Sequence, residues 1–156
     1  MNPTHSAFYK SEIGFFKVTG SEDGLHELEF TDLKSAPRSA VPACLKECFG
    51  QLDEYFSGEL KNFSLTLNPQ GTDFQQTVWR QLVKIPFGQT TSYLNIATAI
   101  GNKKALRAVG AANGQNRIPI IIPCHRVIGS DGSLIGFGGG IWRKEWLLKH
   151  EKVVLV

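Results

Sequence analysis

Hydrophobic and polar positions change rhythm along the chain. Near the start, "GFFKVTG" and "LHELEFT" flank "SEDG", and in the second run Leu28 and Phe30 alternate with Glu27 and Glu29. A period of two is that of a strand with one wet face, and Asp23-Gly24 suits the tight turn of a hairpin. "SAVPACLKECFGQLDEYFSG" then sets Val41, Leu45, Cys48, Leu52 and Tyr55 at spacings of four and three, which is one face of a helix. Ser39 is the candidate cap, Pro42 falls in the first turn and Gly58 is the stop. "NFSLTLN", with Phe63, Leu65 and Leu67 alternating, predicts a third strand, and "NPQGT" (Asn68 to Thr72) reads as a linker.

After the linker the period is helical. Asp73 and Gln76 make a capping-box-like start to an apolar stripe of Phe74, Val78 and Leu82, which Pro86 ends. "TTSYLNIATAIG" is a second helical segment, closed by Gly101-Asn102. "KKALRAVGAANG" is a third, rich in small residues: Ala105, Ala108, Gly110, Ala111, Ala112 and Gly114. Two helices joined by a short Gly-containing turn have the form of a helix-turn-helix. Glycine inside a helix costs about 1 kcal/mol relative to alanine. Close backbone approach to another helix, or to a nucleic-acid groove, is a reason to accept that cost. The last helix is "IWRKEWLLKH", with Ile141, Glu145 and Leu148 along one side. The expected architecture is an α/β domain over residues 1–68 and a mostly α-helical domain over 69–156.

Charge sharpens this division. Residues 1–68 carry six Lys/Arg against ten Asp/Glu, net −4, and residues 69–156 carry eleven against four, net +7. A basic half joined to an acidic half points to a polyanionic partner for the basic one. Lys103, Lys104 and Arg107 lie on the small-residue segment itself, which favours nucleic acid over plain helix packing. With 156 residues, 42% hydrophobic and 20% charged, the composition is ordinary for a globular protein. No apolar run approaches the roughly 20 residues of a membrane span, and "MNPTHSAFYK" lacks the pattern of a secretory signal. Three cysteines, Cys44, Cys48 and Cys124, are too few and too odd for a disulfide framework and fit a reducing cytoplasm. Cys44 and Cys48 are four apart on a helix, but no Cys or His with ligand spacing accompanies them. Packing is therefore expected there, and no metal.

The chemistry concentrates in "IPIIIPCHRVIG", Ile118 to Gly129, where an apolar run ends in Pro123 and is followed by Cys124, His125 and Arg126. A neighbouring His and Arg favour a thiolate, lowering the thiol from its reference of roughly 8.5. "SDGSLIGFGGG" follows, a glycine-rich loop able to bend over the thiol. In an extended segment the His125 side chain would point away from that of Cys124, so contact between them requires a turn or an intervening water. An orienting carboxylate is also wanted, as in nucleophile–base–orienter triads. Asp131, Glu145 and Glu151 are the candidates that follow.

"IPCHRVI", preceded by "RAVGAANGQN" and followed by "GFGGGIWRKEWLLKHE", resembles the O6-alkylguanine-DNA alkyltransferases, also called methylated-DNA–protein-cysteine methyltransferases. The likeness runs from about Phe74 through Glu151 and includes "FQQTVWRQLVKIPFGQTTSY". The first half resembles that family's RNase H-like α/β domain by its order of elements, and the second its winged-helix-like domain. What the resemblance implies is single-turnover repair without a cofactor. A helix-turn-helix binds the minor groove of double-stranded DNA as a monomer, and the alkylated guanine is flipped out to meet the cysteine. Carried over by position, Cys124 takes the alkyl group from guanine O6, with O4-alkylthymine as a second candidate substrate. His125 is a water-assisted base whose rate falls as it protonates, and Glu151 orients it. Asn116 braces the turn carrying the cysteine. Tyr93 helps rotate the nucleotide and hydrogen-bonds the base, and Arg107 fills the gap left in the stack. Ala105, Ala108, Gly110, Ala111, Lys103, Lys104 and Arg126 complete the expected DNA contacts. Val127, Phe137 and Gly138 line the expected base pocket. Some members have Tyr-Ser where this chain has Phe137-Gly138, so a hydroxyl contact is lost here, while the Gly138 N–H remains for guanine O6.

Three other readings fit less. A non-catalytic alkyltransferase-like sensor lacks the reactive cysteine that is kept here. A plain helix-turn-helix regulator leaves P-C-H-R-V unexplained. A Cys–His hydrolase leaves the charge asymmetry unexplained.

Overall fold

The computed structural model describes residues 2–37 and 39–155, so Met1, Arg38 and Val156 lie outside the described residues. The chain divides into two compact units, residues 1–70 and 71–156.

The first unit is built on an antiparallel three-stranded meander: β1 (His5–Ser11), β2 (Gly14–Ser21) and β3 (Gly24–Phe30), in that order across the sheet. β2 and β3 form the expected hairpin. β1 was not foreseen, because its buried face holds only Ala7 and Tyr9 among polar neighbours. Phe16 and Val18 of β2 and Leu25 and Leu28 of β3 are buried too. The last two are three apart yet share a face, since the pairing shifts register between Thr19 and Gly20. Gly24 has φ +128°, and a Cβ there would lie 2.8 Å from the Thr66 carbonyl oxygen. That close approach lets Leu25 N–H donate to Thr66 O (2.9 Å) and Leu25 O accept from Asn68 N–H (2.8 Å).

Residues 63–67 are correspondingly less regular than expected. They make a single parallel bridge, Leu25 to Leu67, in place of a third strand. The Gln51 side chain takes over the backbone upstream, accepting from Ser64 N–H at 2.9 Å and donating to Ser64 O at 3.3 Å. Gln51 belongs to α1 (Lys46–Phe56), which follows a 3-10 turn at Ala43–Leu45. Leu45, Cys48, Leu52 and Tyr55 face inward as their spacing requires. Ser39 is not the cap: Pro42 precedes the 3-10 turn in an extended conformation (ψ 145°), so the helix begins beyond it. Tyr9 ties sheet to helix, packing edge-on against Phe49 at 5.3 Å and donating its hydroxyl hydrogen to Asp53 at 2.7 Å.

The second unit opens with α2 (Asp73–Val83). Its capping box lies one residue earlier than expected, on Thr72 and Gln75. Thr72 Oγ1 accepts from Gln75 N–H at 3.1 Å, and Gln75 Oε1 accepts from Thr72 N–H at 2.9 Å. Val78, Trp79 and Leu82 are buried, and the Trp79 indole N–H donates to Ala112 O at 2.9 Å, pinning α2 to α4 (Leu106–Gly114). β4 (Thr91–Ser92) pairs in parallel with β5 (Val127–Ile128). α3 (Tyr93–Ala99) is capped by Ser92 and packs on α4 through the turn at Gly101, φ +81°. A 3-10 turn at Lys103–Ala105 leads into α4. This pair is the helix-turn-helix.

α5 (Ile141–His150) occupies the expected span, and its inward side was not legible from the pattern. Ile141 is 41% exposed, whereas Arg143, Lys144, Leu147 and Leu148 are buried. Periodicity misled because two buried positions carry charge. Arg143 Nη1 donates to Gly139 O at 2.9 Å and Lys144 Nζ to Val127 O at 2.6 Å, and bonding of this kind is what makes buried charge tolerable. Among the described residues, no helix is long and apolar enough to cross a membrane.

Replacing Thr72 with alanine removes one half of the capping box. It is expected to lower stability by about 1 kcal/mol, read as a fall in urea midpoint with an unchanged slope.

Candidate active site

The apolar run before Cys124 does not form a strand. It loops, and Ile120 sits at φ +75°, a conformation costly for a β-branched residue. Asn116 holds it there: its Nδ2 donates to Ile122 O at 2.7 Å and its Oδ1 accepts from Ile118 N–H at 3.0 Å. Cys124 N–H then donates to Ile122 O at 2.8 Å, and residues Cys124–Arg126 make one 3-10 turn. That turn answers the difficulty of adjacent side chains: three residues per turn spread Cys124, His125 and Arg126 in three directions within one small volume. Asn113, which the sequence reading overlooked, adds a long bond from Nδ2 to Cys124 O at 3.5 Å.

His125 and Arg126 converge on one carboxylate. His125 Nε2 lies 2.7 Å from Glu151 Oε2, with both side chains fully buried. Arg126 grips the same group through Nε to Oε1 (2.8 Å) and Nη2 to Oε2 (3.1 Å), and its Nη1 donates to Ile85 O at 2.7 Å. The other acids drop out. Asp131 accepts from Ser133 within its own exposed loop, and Glu145 pairs with Lys149 at the surface. Arg126, expected among the DNA contacts, is corrected by the same geometry: it is 5% exposed, and its guanidinium is engaged inside the protein.

Burial would raise the Glu151 carboxyl, but the bonds from His125 and Arg126 hold it well below the usual carboxylate range. Burial pushes the His125 imidazole below its ordinary value, against the pull of Glu151. The resting pair is thus neutral histidine and ionised glutamate. With Nε2–H given to Glu151, Nδ1 is the basic nitrogen, and it has no hydrogen-bond partner among the described residues. Cys124 is 4% exposed, and burial pushes its thiol up to about 11, opposed by the Asn116 side chain and the charge of Lys144. The thiol is therefore not spontaneously ionised, contrary to the sequence expectation. It needs the base.

Tyr93 is half-buried, and its hydroxyl donates to Ile135 O at 2.9 Å. Lys144, which sequence reasoning missed, donates to the same oxygen at 3.0 Å as well as to Val127 O. Val127 is buried, Phe137 half-buried and Gly138 exposed on the loop above. On α4, Val109, Ala112 and Asn113 face inward, while Arg107, Ala108 and Ala111 are exposed, as are Lys103 and Lys104 before it.

Both units match models of one family. Residues 4–69 match the ribonuclease-like domain of 6-O-methylguanine DNA methyltransferase, and residues 73–153 match its DNA-binding domain. The chain belongs to this family. A methylated-DNA–protein-cysteine methyltransferase of Methanosarcina barkeri is 49% identical over 150 residues, covering 92% of this chain and 94% of the relative. One of Mycobacterium bovis is 55% identical over 152 residues, covering 95% and 92%. The crystal structure of the Mycobacterium tuberculosis protein in complex with DNA superposes with TM-score 0.86 at 46% identity, covering 95% and 92%. Membership accounts for the ribonuclease-like first domain and the helical DNA-binding second domain.

Removing the Arg126 guanidinium (Arg126→Met) takes from the buried Glu151 carboxylate the cation that bonds both of its oxygens. A loss of about 3–5 kcal/mol is expected from thermal or urea unfolding, as for other broken buried pairs.

Proposed function

We propose that this protein repairs DNA by moving the methyl group of O6-methylguanine irreversibly onto Cys124, once per molecule. The observation that carries this reading is the Cys124–His125–Glu151 constellation in a member of the methyltransferase family: a buried thiol, a neutral imidazole and an ionised carboxylate fixing its tautomer. His125 Nδ1 takes the thiol proton through a water. The thiolate sulfur forms a bond to the methyl carbon, the carbon–O6 bond breaks, and its electron pair passes to the guanine, which regains a proton from the His125 imidazolium by way of water. Tyr93, released from Ile135 O, donates its hydroxyl hydrogen bond to the base as that charge develops. The product thioether is uncharged and lacks a good leaving group, so each molecule acts once.

A methyl carbon inside a duplex is out of reach of a buried sulfur, so the nucleotide leaves the stack at a cost on the order of a few kcal/mol. Arg107, exposed near the start of α4, enters the vacated space from the minor groove, where the potential favours a cation. The outer face of α4 suits that approach. A Cβ built at Gly110 or Gly114 would meet nothing within 4 Å, so internal packing does not call for glycine at either position. Groove approach does. Lys103 and Lys104 supply phosphate contacts, and Ala108 and Ala111 keep the surface low. The protein acts as a monomer in the cytoplasm, without a cofactor, and O4-alkylthymine is a second substrate.

Mixing the protein with duplex DNA bearing one O6-methylguanine should add a single methylene mass to the peptide carrying Cys124 and restore guanine. Cys124→Ala should abolish transfer and retain lesion binding; a folded variant that loses both would place the thiol in binding instead. Arg107→Ala is expected to slow transfer from duplex at least tenfold more than transfer to the protein from the free base, about 1.4 kcal/mol of differential barrier. Equal slowing would remove its part in the stack.

A further inference from the structure

Two buried side-chain atoms among the described residues have no hydrogen-bond partner, His125 Nδ1 and Asn113 Oδ1. The first is the base of the proposed reaction. The second has no task in it, and a buried acceptor left unpaired is costly enough to call for one. Asn113 is 3% exposed on the inner face of α4. That helix end is fixed by the Trp79 indole N–H on Ala112 O and by the Asn116 backbone N–H on Asn113 O at 3.4 Å. The amide can face only one way. Its Nδ2 lies 3.5 Å from Cys124 O, and turning it over would set two acceptors against each other. Oδ1 therefore points away from that carbonyl, beside the residue that bears the nucleophile. Cys124 O already accepts the Val127 N–H, so Oδ1 is the open acceptor of the two. The glycine-rich loop passes the same helix end: a Cβ built on Gly138 would have Gly114 O as its nearest neighbour, 4.0 Å away. Asn113 is thus bonded to Cys124 and adjoins the residue against which the Gly138 loop lies. We infer that Asn113 is a specificity determinant of the base pocket, its Oδ1 accepting a hydrogen bond from the 2-amino group of the flipped O6-methylguanine.

This role presupposes the function proposed above, with Cys124 as methyl acceptor. Along the edge that carries O6, guanine has a ring nitrogen next and the 2-amino group after it. Methylation at O6 leaves that ring nitrogen without a hydrogen, so the amino group is the only donor on the edge. An acceptor beside the nucleophile is the matching group for it. O4-methylthymine presents the same outline with a carbonyl oxygen, O2, in place of the amine. Oδ1 would then face a second acceptor in a buried site, where neither could find a donor. Asn113 thereby ranks the substrates, with guanine first and thymine a slower second. A site built to bond a substrate N–H rejects the analogue that lacks it, because its own polar group is left unpaired.

The test is single-turnover transfer to the full chain from three duplexes that differ only in the lesion: O6-methylguanine, O6-methylhypoxanthine and O4-methylthymine. O6-methylhypoxanthine lacks nothing but the 2-amino group. The wild type should react with O6-methylguanine about tenfold faster than with O6-methylhypoxanthine, and faster still relative to O4-methylthymine. Asn113→Leu, similar in size and without polar atoms, should slow the guanine reaction and abolish the preference over hypoxanthine. Asn113→Asp keeps an acceptor oxygen in place and should keep the preference, even where the lost N–H donor to Cys124 O slows every substrate. Comparing ratios between proteins cancels the unequal ease of opening the three duplexes. A wild type equally fast on guanine and hypoxanthine would overturn the inference. So would a Leu variant with the wild-type ratio, slow on both alike, which would leave Oδ1 a partner for water. Should the Leu variant not fold, loss of the preference in a folded Asp variant would count against the inference, and its retention for it. Peptide mass spectrometry on the same samples keeps the two readings apart. No methyl on Cys124 after reaction with O6-methylguanine sinks the proposed function, whereas methyl on Cys124 with unchanged ratios sinks only the role of Asn113.

Discussion

Glu151 closes the second unit electrostatically. Its carboxylate, 1% exposed at the end of α5, receives His125 on one oxygen and Arg126 on both, and Arg126 reaches on to Ile85 O beyond α2. One buried anion thereby joins the end of the last helix, the turn bearing the nucleophile and the end of the first helix. An ion pair of this kind adds little net stability over a well-packed apolar substitute, since desolvation consumes most of the Coulomb gain. Its contribution is specificity. With Arg126 holding Glu151 ionised, only one histidine tautomer satisfies the carboxylate, and the ring nitrogen opposite becomes a base by default.

The same economy governs the turn before it. Asn116 spends one side-chain amide on two backbone groups of the 118–122 loop, and that loop contains Ile120 in a left-handed conformation that an isoleucine alone would avoid. Backbone strain persists only where its surroundings outweigh it. Here the surroundings are the amide and a run of buried isoleucines, and the result is a cysteine whose backbone is fixed before any DNA arrives. Positioning of the nucleophile is thereby a property of the folded chain.

Much of this was legible in the residues. The β2–β3 hairpin, the inner face of α1 and the spans of the later helices followed from periodicity and turn chemistry. Cys124 stood out by its neighbours. Glu151 did not: three acids fitted the pattern, and the choice came through the resemblance and then through the 2.7 Å contact to His125. What stayed hidden shares one cause. Arg126, Lys144 and Arg143 are charged residues in buried positions, and a pattern reading assigns charge to solvent. Arg126 was therefore expected on DNA, and the inward side of α5 was not identified. β1 was missed for the opposite reason, having too few apolar residues to mark a face. The Thr72 capping box and the bridge at Leu67 were misplaced by local hydrogen bonds that composition cannot order.

Burial explains why the site needs so many fixed groups. Burial pushes the Cys124 thiol up to about 11, so the resting protein keeps it protonated. On the proposed reading it becomes a thiolate while its histidine becomes a cation, two charges created where water is scarce. The imidazolium already has its counterpart in place, Glu151. No solvent need reorganise when the charges appear, which is where preorganised sites gain most. Once the methyl group is on sulfur that charge is gone and the thioether is as apolar as its surroundings.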